Sequence, residues 1–434
     1  MNDTLQVLGN GQLQANLLAN DTPNGAVVTA FQNPSALGGT VSVTGGGQLT
    51  YTPPLNQANA SDSFTYTLTN AAGSATATVT VQIGARGFFV KNDAPVGGTG
   101  SQASPFNTLA AAVAAAAPVN GAEIVVFRGD GTSTGLNTPV TLLANQSLRA
   151  LDGNVPVLGG PITMANNTTL AGVRLQGGGV VATGAANFTV QDCTVANSTG
   201  DGVALTDLVG TVNLRNNSFL QNGARGLAVR QSAGLLNLQL SNTAVADTTS
   251  DGIFANVTNT GNVTWSETNT TVNRAGNGVP FAGNSWFLNT RNTGALNATW
   301  SQCLSDGPQG FGMFVNSFDA SNCTLVFDQG IVRNGPSRGF LLEASDSSTF
   351  KARVSNTQTN QNNPGFGFEA DNGNFALMCL RLVNVTSDVY RLLNNNAAAP
   401  YNIENFANFA SENTGSITQL GTINSVPIGS CGIP

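Results

Sequence analysis

The residues of this sequence that could carry out chemistry are acids and arginines, because none of its 434 residues is a histidine. The absence of histidine excludes nucleophilic triads and metal sites built on imidazole. Two carboxylates, Asp201 and Asp251, stand directly before a short glycine phrase that recurs along the chain, and Asp306 lies further on. Two carboxylates flanking a sugar bond are the catalytic groups of glycosidases. These acids are therefore the first candidates for a reaction.

Arg225 changes the interpretation of this pair. It occupies the same place in the phrase "RGLAVRQ" (225–231), between the two acids along the chain. In stacked repeats, Asp201, Arg225 and Asp251 would follow one another at about one strand spacing, roughly 4.8 Å. Opposite charges at that spacing stabilise neighbouring strands. We therefore favour a structural ion ladder over a catalytic pair.

A lyase would need an arginine or lysine base, commonly with calcium held by aspartates. The tightest basic set is Lys351 and Arg353 in "FKARV", where the alternation predicts that both point outward. We expect no acidic trio at matching positions of neighbouring repeats. The sequence thus predicts no catalytic residue, no metal ligand and no cofactor, and it does not indicate calcium.

The glycine phrase itself determines the predicted architecture. Glycine followed by an apolar, a variable and an apolar residue recurs every 24 to 34 residues, a period typical of solenoids. We expect glycine to supply a turn conformation, and the residues one and three places later to point inward on a strand. The marker glycines are Gly202, Gly226, Gly252, Gly278, Gly312, Gly339 and Gly367.

Three further expectations follow from the repeat. A column of Asn residues before the glycines, among them Asn217 and Asn242, should accept left-handed backbone and form a hydrogen-bonded ladder. The longest gap predicts an outward loop at "SWFLNTRNTG", so Trp286, Phe287 and Arg291 are candidate contacts for a glycan or a partner. Eight phenylalanines are expected to stack in the core: Phe311, Phe314, Phe318, Phe327, Phe340, Phe350, Phe366 and Phe368.

Residues 1–84 alternate in polarity and predict an Ig-like β-sandwich. They resemble the cadherin-like, immunoglobulin-fold repeats of bacterial surface proteins through "ANLLANDT" (15–22), "GQLTYTP" (47–53) and "DSFTYTLTNAAGSATATVTV" (62–81). Such repeats sometimes bind calcium after an Asp-Gly turn, but here that turn is Asn70-Ala71-Ala72-Gly73.

Residues 85–120 predict a strand and a short alanine-rich helix in "SPFNTLAAAVAAAA", ended by Pro118. This order resembles the first segment of right-handed parallel β-helix proteins, in which the helix caps the first coil. We expect residues 121–434 to form the β-helix, so the predicted fold is all-β.

Composition narrows the classes of partner. Charged residues make up 9% of the chain, the net charge is −7, and no basic patch occurs, which excludes nucleic acid. No apolar run is long enough to span a membrane. The five cysteines predict mostly buried thiols, with Cys431 the most exposed. The chain does not open with a signal peptide, so we expect a mature form or fragment of an exported protein.

The resemblance to surface proteins that join these two modules implies an extracellular or cell-surface location. We expect a non-enzymatic structural or adhesive protein, a rigid solenoid that self-associates or binds cell-surface or matrix components, as in a fibre. The alternatives are a carbohydrate-active β-helix enzyme, either a polysaccharide lyase or a glycoside hydrolase, and a monomeric glycan-binding adhesin.

Overall fold

A computed structural model describes residues 1–151, 153, 155–277, 283–360, 362, 367–395 and 399–433. The chain divides into two compact units, residues 1–138 with 143–157 and residues 139–142 with 158–434. Within the described ranges, no helix is long and apolar enough to cross a membrane. The predicted domain boundaries at 84 and 120 stay predictions.

The first unit begins with a β-sandwich. Its elements are β1 (Asp3–Gly9), β2 (Leu13–Asn16), β3 (Val27–Phe31), β4 (Thr40–Val43), β5 (Gln48–Thr52), β6 (Ala60–Asn70), β7 (Gly73–Val90), α1 (Leu109–Ala116) and β8 (Glu123–Val126). One sheet has the order β1-β7-β6-β3 and the other β2-β5-β4. Alternate strand residues such as Tyr51, Phe64 and Val79 fill the core between the sheets. This is the predicted Ig-like arrangement.

Strand β7 also takes part in a second pairing. Its residues 73–83 pair with β6, and its last four residues pair in parallel with β8. Helix α1 packs against β7 and β8 through Leu109, Ala112 and Ala116. Thr108 caps it by accepting a hydrogen bond from the backbone N–H of Ala111 at 3.3 Å. The predicted alanine-rich helix is confirmed over Leu109–Ala116, and the first five residues of the predicted segment, 104–108, are not helical.

Three short strands follow, β9 (Val140–Thr141), β10 (Ser147–Ala150) and β11 (Val157–Leu158). Strand β10 pairs with β8 in the first unit, and β9 pairs with β12 in the second.

The second unit is a parallel solenoid of three-strand coils, and its sheets are called I, II and III below. Sheet I contains β9, β12 (Ile162–Thr163), β15 (Val180–Thr183), β18 (Val203–Thr206), β21 (Leu227–Gln231), β24 (Ile253–Val257), β27 (Trp286–Thr290), β30 (Met313–Ser317), β33 (Phe340–Ala344) and β35 (Phe368–Asn372). Sheet II contains β13 (Thr169–Ala171), β16 (Ala186–Gln191), β19 (Val209–Arg215), β22 (Leu235–Ser241), β25 (Asn262–Thr268), β28 (Ala295–Ser301), β31 (Asn322–Asp328), β34 (Thr349–Asn360), β36 (Leu377–Asn394), β37 (Tyr401–Glu404) and β39 (Asn424–Val426). Sheet III contains β14 (Arg174–Gln176), β17 (Thr194–Ala196), β20 (Ser218–Leu220), β23 (Ala244–Ala246), β26 (Thr271–Asn273), β29 (Leu304–Asp306) and β32 (Ile331–Arg333).

The last coils have longer elements. Residues 390–394 of β36 turn into sheet I and pair with β35, and β38 (Thr414–Leu420) pairs with β36. A 3-10 helix (Phe406–Asn408) and α2 (Phe409–Glu412) lie before β38. Together the two units confirm the predicted all-β fold class.

The residues one and three places after each described marker glycine are buried inside the solenoid, as predicted. The glycines themselves play a different role from the predicted one, because none of the described markers has a positive φ. A Cβ on Gly252 would lie only 2.3 Å from Cγ1 of Val272 in sheet III. Gly226 and Gly312 meet valines in the same way. Glycine is required there because a side chain has no room.

One coil solves this packing problem without glycine. Before β27 the corresponding residue is Ser285, and the sheet III residue beside it is Ser305 instead of valine. Their hydroxyl oxygens are 2.7 Å apart and hydrogen-bonded. "SWFLN" is therefore a sheet I strand, and the predicted outward loop at this segment is wrong. The marker Gly278, with Val279 and Phe281, lies outside the described residues.

Residues with positive φ form the corners between sheets II and III, and in three successive coils that residue is asparagine. Asn216, Asn242 and Asn269 all have positive φ. Their side chains form the predicted ladder, in which Asn269 donates to Asn242 at 2.8 Å and Asn242 donates to Asn216 at 3.1 Å. The column passes through Asn216, one residue before the predicted Asn217.

Two core predictions need correction. Cys431 is buried and forms a disulfide with Cys379, while the thiols of the remaining three cysteines are buried. Phe311, Phe314 and Phe318 are half-exposed and not in the core. The other described members of that set (Phe327, Phe340, Phe350 and Phe368) are buried as predicted, and Phe366 lies outside the described residues.

Candidate functional site

The acids identified first in the sequence lie at the start of sheet I strands. The guanidinium of Arg225 lies between them, with Nη1 3.7 Å from Oδ1 of Asp201 and Nε 3.3 Å from Oδ2 of Asp251. A second arginine, Arg230, reaches Asp201 at 2.9 Å. This is the stacking that the ladder requires, and its contribution to stability stays a prediction. Asp306 does not join it, because it lies in sheet III and pairs with Arg333 at 3.0 Å.

Trp286 is not a surface contact. Its side chain is fully buried in β27, where its indole Nε1 donates to Oε1 of Glu267 at 3.1 Å. The candidate contact is wrong because Trp286 is in register with the buried residues Ile253 and Met313, so its side chain points inward. Phe287 therefore points outward, and Arg291 is exposed with its guanidinium 4.8 Å from the ring centre of Phe318. The proposed contacts of these last two residues stay predictions.

The outer face of sheet I carries two rows of side chains, one residue per coil. The first row, in register from β24 to β36, is Phe254, Phe287, Phe314, Leu341, Glu369 and Arg391. The second row is Asn256, Asn289, Asn316, Glu343, Asp371 and Leu393. Both rows change from neutral to charged between β30 and β35. An apolar and amide-rich half of the face thus leads into a charged half.

The neutral half is a continuous aromatic surface. The ring centres of Phe254 and Phe287 are 5.6 Å apart, and those of Phe287 and Phe314 are 5.1 Å apart with nearly parallel planes. Phe311 adds a fourth ring 5.1 Å from Phe314, and the Arg225 guanidinium lies 4.1 Å from the centre of Phe254. These half-exposed rings form an apolar strip on an otherwise polar surface.

The charged half is organised around Glu369, which is buried although it points out of the solenoid. Arg338 and Arg391 bind its carboxylate from two sides, the latter at 3.2 Å and 3.3 Å. A buried carboxylate is stable when it is paired and hydrogen-bonded in this way. Glu369 and its two arginines therefore form an ion-paired cluster beside the second row.

Glu343 and Asp371 are direct neighbours in that second row and are both partly exposed. Burial raises the pKa of Glu343, and the negative charges of Asp371 and Glu369 raise it further. Burial also raises the pKa of Asp371, but a 2.6 Å hydrogen bond from Asn395 and the charge of Arg391 oppose that rise. Among the described residues, none donates a hydrogen bond to the Glu343 side chain. Coupled carboxyls with unequal surroundings are typical of acid–base pairs.

Only Glu343 and Asp371 occupy matching positions on neighbouring coils, because Glu369 lies in the first row, opposite Leu341. This pair, and not an acidic trio, is what sequence reasoning missed. A signal was present in the sequence. The residues two and four places after each glycine point outward, and in the last two markers these positions hold the three acids. The basic pair Lys351 and Arg353 lies on sheet II, away from this face. In the part of the chain that the structure describes, no three acidic or cysteine side chains are placed to hold a metal ion.

Comparisons with known proteins agree with the fold. Residues 1–82 match the family model described as a bacterial Ig domain, and residues 157–352 match that of a right-handed β-helix region. These matches confirm the predicted combination of modules. Among curated proteins, none matches the chain significantly.

Three solved structures similar to this chain are named as enzymes. The A-module of a mannuronan C-5 epimerase of Azotobacter vinelandii is 15% identical, with 73% of this chain and 93% of that one covered and a TM-score of 0.40. The catalytic unit of an α-1,3-glucanase from Streptomyces thermodiastaticus is 12% identical, with 90% and 77% covered and a TM-score of 0.44. A pectate lyase is 13% identical, with 79% and 78% covered and a TM-score of 0.34.

The expectation of a non-enzymatic structural or adhesive protein is corrected by these findings. The solved structures to which this fold is similar are named as mannuronan epimerases, a glucanase and a pectate lyase, and not as structural or adhesive proteins.

Proposed function

We propose that this protein is an extracellular enzyme that hydrolyses a polysaccharide bound on the outer face of sheet I. The observation that carries the proposal is the pair Glu343 and Asp371, two partly buried carboxyls on adjacent strands at the end of an aromatic strip. Adjacent strands are about 4.8 Å apart, so both carboxyls can reach one glycosidic bond. The bacterial Ig domain supports the extracellular location.

Glu343 is the general acid in this proposal. Its raised pKa and the absence of a donor among the described residues favour the protonated carboxyl, which can give its proton to the glycosidic oxygen as the bond breaks. Asp371 is the second carboxyl: burial raises its pKa as well, but unlike Glu343 it accepts a hydrogen bond from Asn395, and this bond and the charge of Arg391 oppose the rise. It stabilises the positive charge that develops on the sugar ring. One water is added across the bond, and Glu343 regains its proton from that water.

A β-elimination, as in polysaccharide lyases, has less support. That reaction needs an arginine or lysine that can remove a proton from the sugar. The two arginines beside the carboxyl pair, Arg338 and Arg391, are both bound to the buried Glu369. Their guanidinium groups are committed to the protein itself.

The test is the release of new reducing ends from a panel of neutral and acidic polysaccharides. We expect Glu343→Gln to lower the rate by about 10²- to 10⁴-fold, the usual contribution of a general acid. Asp346→Asn, three residues further on the same coil, is the matched control and should keep full activity. The proposal is overturned if no polysaccharide is cleaved, or if the Glu343 variant cleaves as fast as the control.

A further inference from the structure

The neutral half of sheet I indicates which class of polysaccharide the site accepts. We propose that its two rows form a binding track for uncharged, hydroxyl-rich polysaccharides and exclude polymers of uronic acids. The track consists of Phe254, Phe287 and Phe314 in the first row and Asn256, Asn289 and Asn316 in the second. The inference rests on the proposed function for the position of cleavage, and it concerns how the substrate is held beside it.

The first reason is the pairing of the amides. Asn289 donates to Asn256 at 2.6 Å, but Oδ1 of Asn289 and Oδ1 of Asn316 accept no hydrogen bond from any described residue. Asn316 is also more than nine-tenths buried, although it points out of the solenoid. Amide oxygens of this kind are satisfied by hydroxyl donors. A carboxylate has no hydrogen to donate, so the carboxylate of a uronate cannot take that place, and only ring hydroxyls can.

The second reason is the charge along the track. Arginine binds carboxylates well when its guanidinium is available. Arg225 and Arg230 lie at one end of the track, and both are paired with aspartates. Arg338 and Arg391 lie at the other end, and both are paired with Glu369. Each of these four arginines is thus held by a carboxylate of the protein, so none of the four is available to bind the carboxylates of an anionic chain.

The third reason is the apolar strip. The Phe rings follow one another at steps of 5.6 Å and 5.1 Å, close to the spacing of the strands that carry them. A linear polymer that runs along the solenoid can place the C–H groups of successive sugar rings against successive side chains. Its hydroxyl groups then face the amide row, in which the side chain of Asn289 is partly exposed. Apolar contact on one side and hydroxyl acceptors on the other match the two kinds of surface on a neutral sugar.

Binding can be tested apart from cleavage with the full-length Glu343→Gln variant in affinity gel electrophoresis. The neutral probes are β-glucan, galactomannan, xylan and dextran, and the acidic probes are alginate and polygalacturonate. We expect retardation by at least one neutral polymer and by neither acidic polymer. Adding Phe287→Ala or Phe314→Ala should weaken this retardation about tenfold, whereas Phe375→Ala, an exposed ring in a turn outside the track, should not change it. Melting curves check that each variant is folded.

The outcomes separate the two proposals. Retardation by an acidic polymer alone, by no polymer, or without dependence on Phe287 and Phe314 overturns the binding track. Binding of a neutral polymer through these rings with no cleavage by the wild-type chain supports the track and refutes the hydrolase. Cleavage of an acidic polymer supports an enzyme and refutes the track.

Discussion

One coil of the solenoid has the serines Ser285 and Ser305 where other coils have a glycine and a valine. This exchange predicts that substitutions of the glycine and the valine in another coil have strongly coupled effects on stability. In the coil of β21, a Cβ on Gly226 would lie 2.3 Å from Cγ1 of Val245 and 2.9 Å from the carbonyl oxygen of Gly252. Gly226→Ser should therefore destabilise the protein by about 1–3 kcal/mol through overpacking. Val245→Ser alone should destabilise the protein by about 1.5–3 kcal/mol, because a buried apolar side chain is lost and a hydroxyl is buried without a partner.

The double variant should be less destabilised than the sum of the two. With serine at both positions the overlap with Cγ1 of the valine is removed, and the two hydroxyls can pair as those of Ser285 and Ser305 do at 2.7 Å. We expect a coupling free energy of about 1–3 kcal/mol in favour of the double variant. Val332→Ser combined with Gly226→Ser is the control, and because these residues do not touch, their effects should add.

The assay is urea unfolding of the full chain, followed by tryptophan fluorescence. All three tryptophans are buried in this solenoid, so their signal reports its unfolding. Additive effects in the Gly226/Val245 pair would refute the steric explanation of the glycines. Coupling of equal size in the control pair would show that the assay does not isolate the contact.

Three further predictions concern titration and cross-linking. Burial raises the pKa of Glu267 from 4.5 to about 8. Between these two pH values the folded state binds more protons than the unfolded state. The free energy of unfolding should therefore fall as the pH rises through this range, by up to ~1.4 kcal/mol per pH unit. Glu267→Gln should flatten that profile in urea titrations, and an unchanged slope would contradict it. Asp371→Asn should move the pKa of Glu343 to lower pH in a ¹³C NMR titration, because one negative charge that raises it is lost; a rise would count against the coupled pair. Cys431→Ser should destabilise the C-terminal coils by about 2–4 kcal/mol, seen as faster proteolysis there, and equal cleavage rates would refute a formed disulfide.

The inward side of the fold was predictable from sequence because burial selects apolar residues with a fixed period. Pairs such as Leu227 and Val229 recur in every described repeat, and hydrophobic burial favours one register for all of them. The coil of β27 was missed because its marker is Ser285. The replacement of glycine by Ser285 is compensated by Ser305, about twenty residues further along the chain. A pattern searched one position at a time does not reveal that two distant residues change together.

The candidate site was harder to predict for a physical reason. Side chains that point outward do not face the core and need not be apolar. No hydrophobic periodicity therefore distinguishes Glu343 and Asp371 from ordinary surface acids. Their proximity arises from stacking of two coils, which places residues 28 positions apart in direct register. The Asp201–Arg225–Asp251 column was found from the same kind of spacing because it stands next to the marker glycine.

Strand β7 has a mechanical consequence. It runs from the sandwich to its pairing with β8 without a break, and it pairs in parallel with β1 from Asp3–Val79 to Gly9–Arg86. Tension applied between the N-terminus and the end of β7 pulls these two parallel strands in opposite directions along their length. All hydrogen bonds of that ladder are then loaded in shear and must break together, instead of opening one by one. A protein tethered by its first residues to a moving surface would resist extension at this ladder.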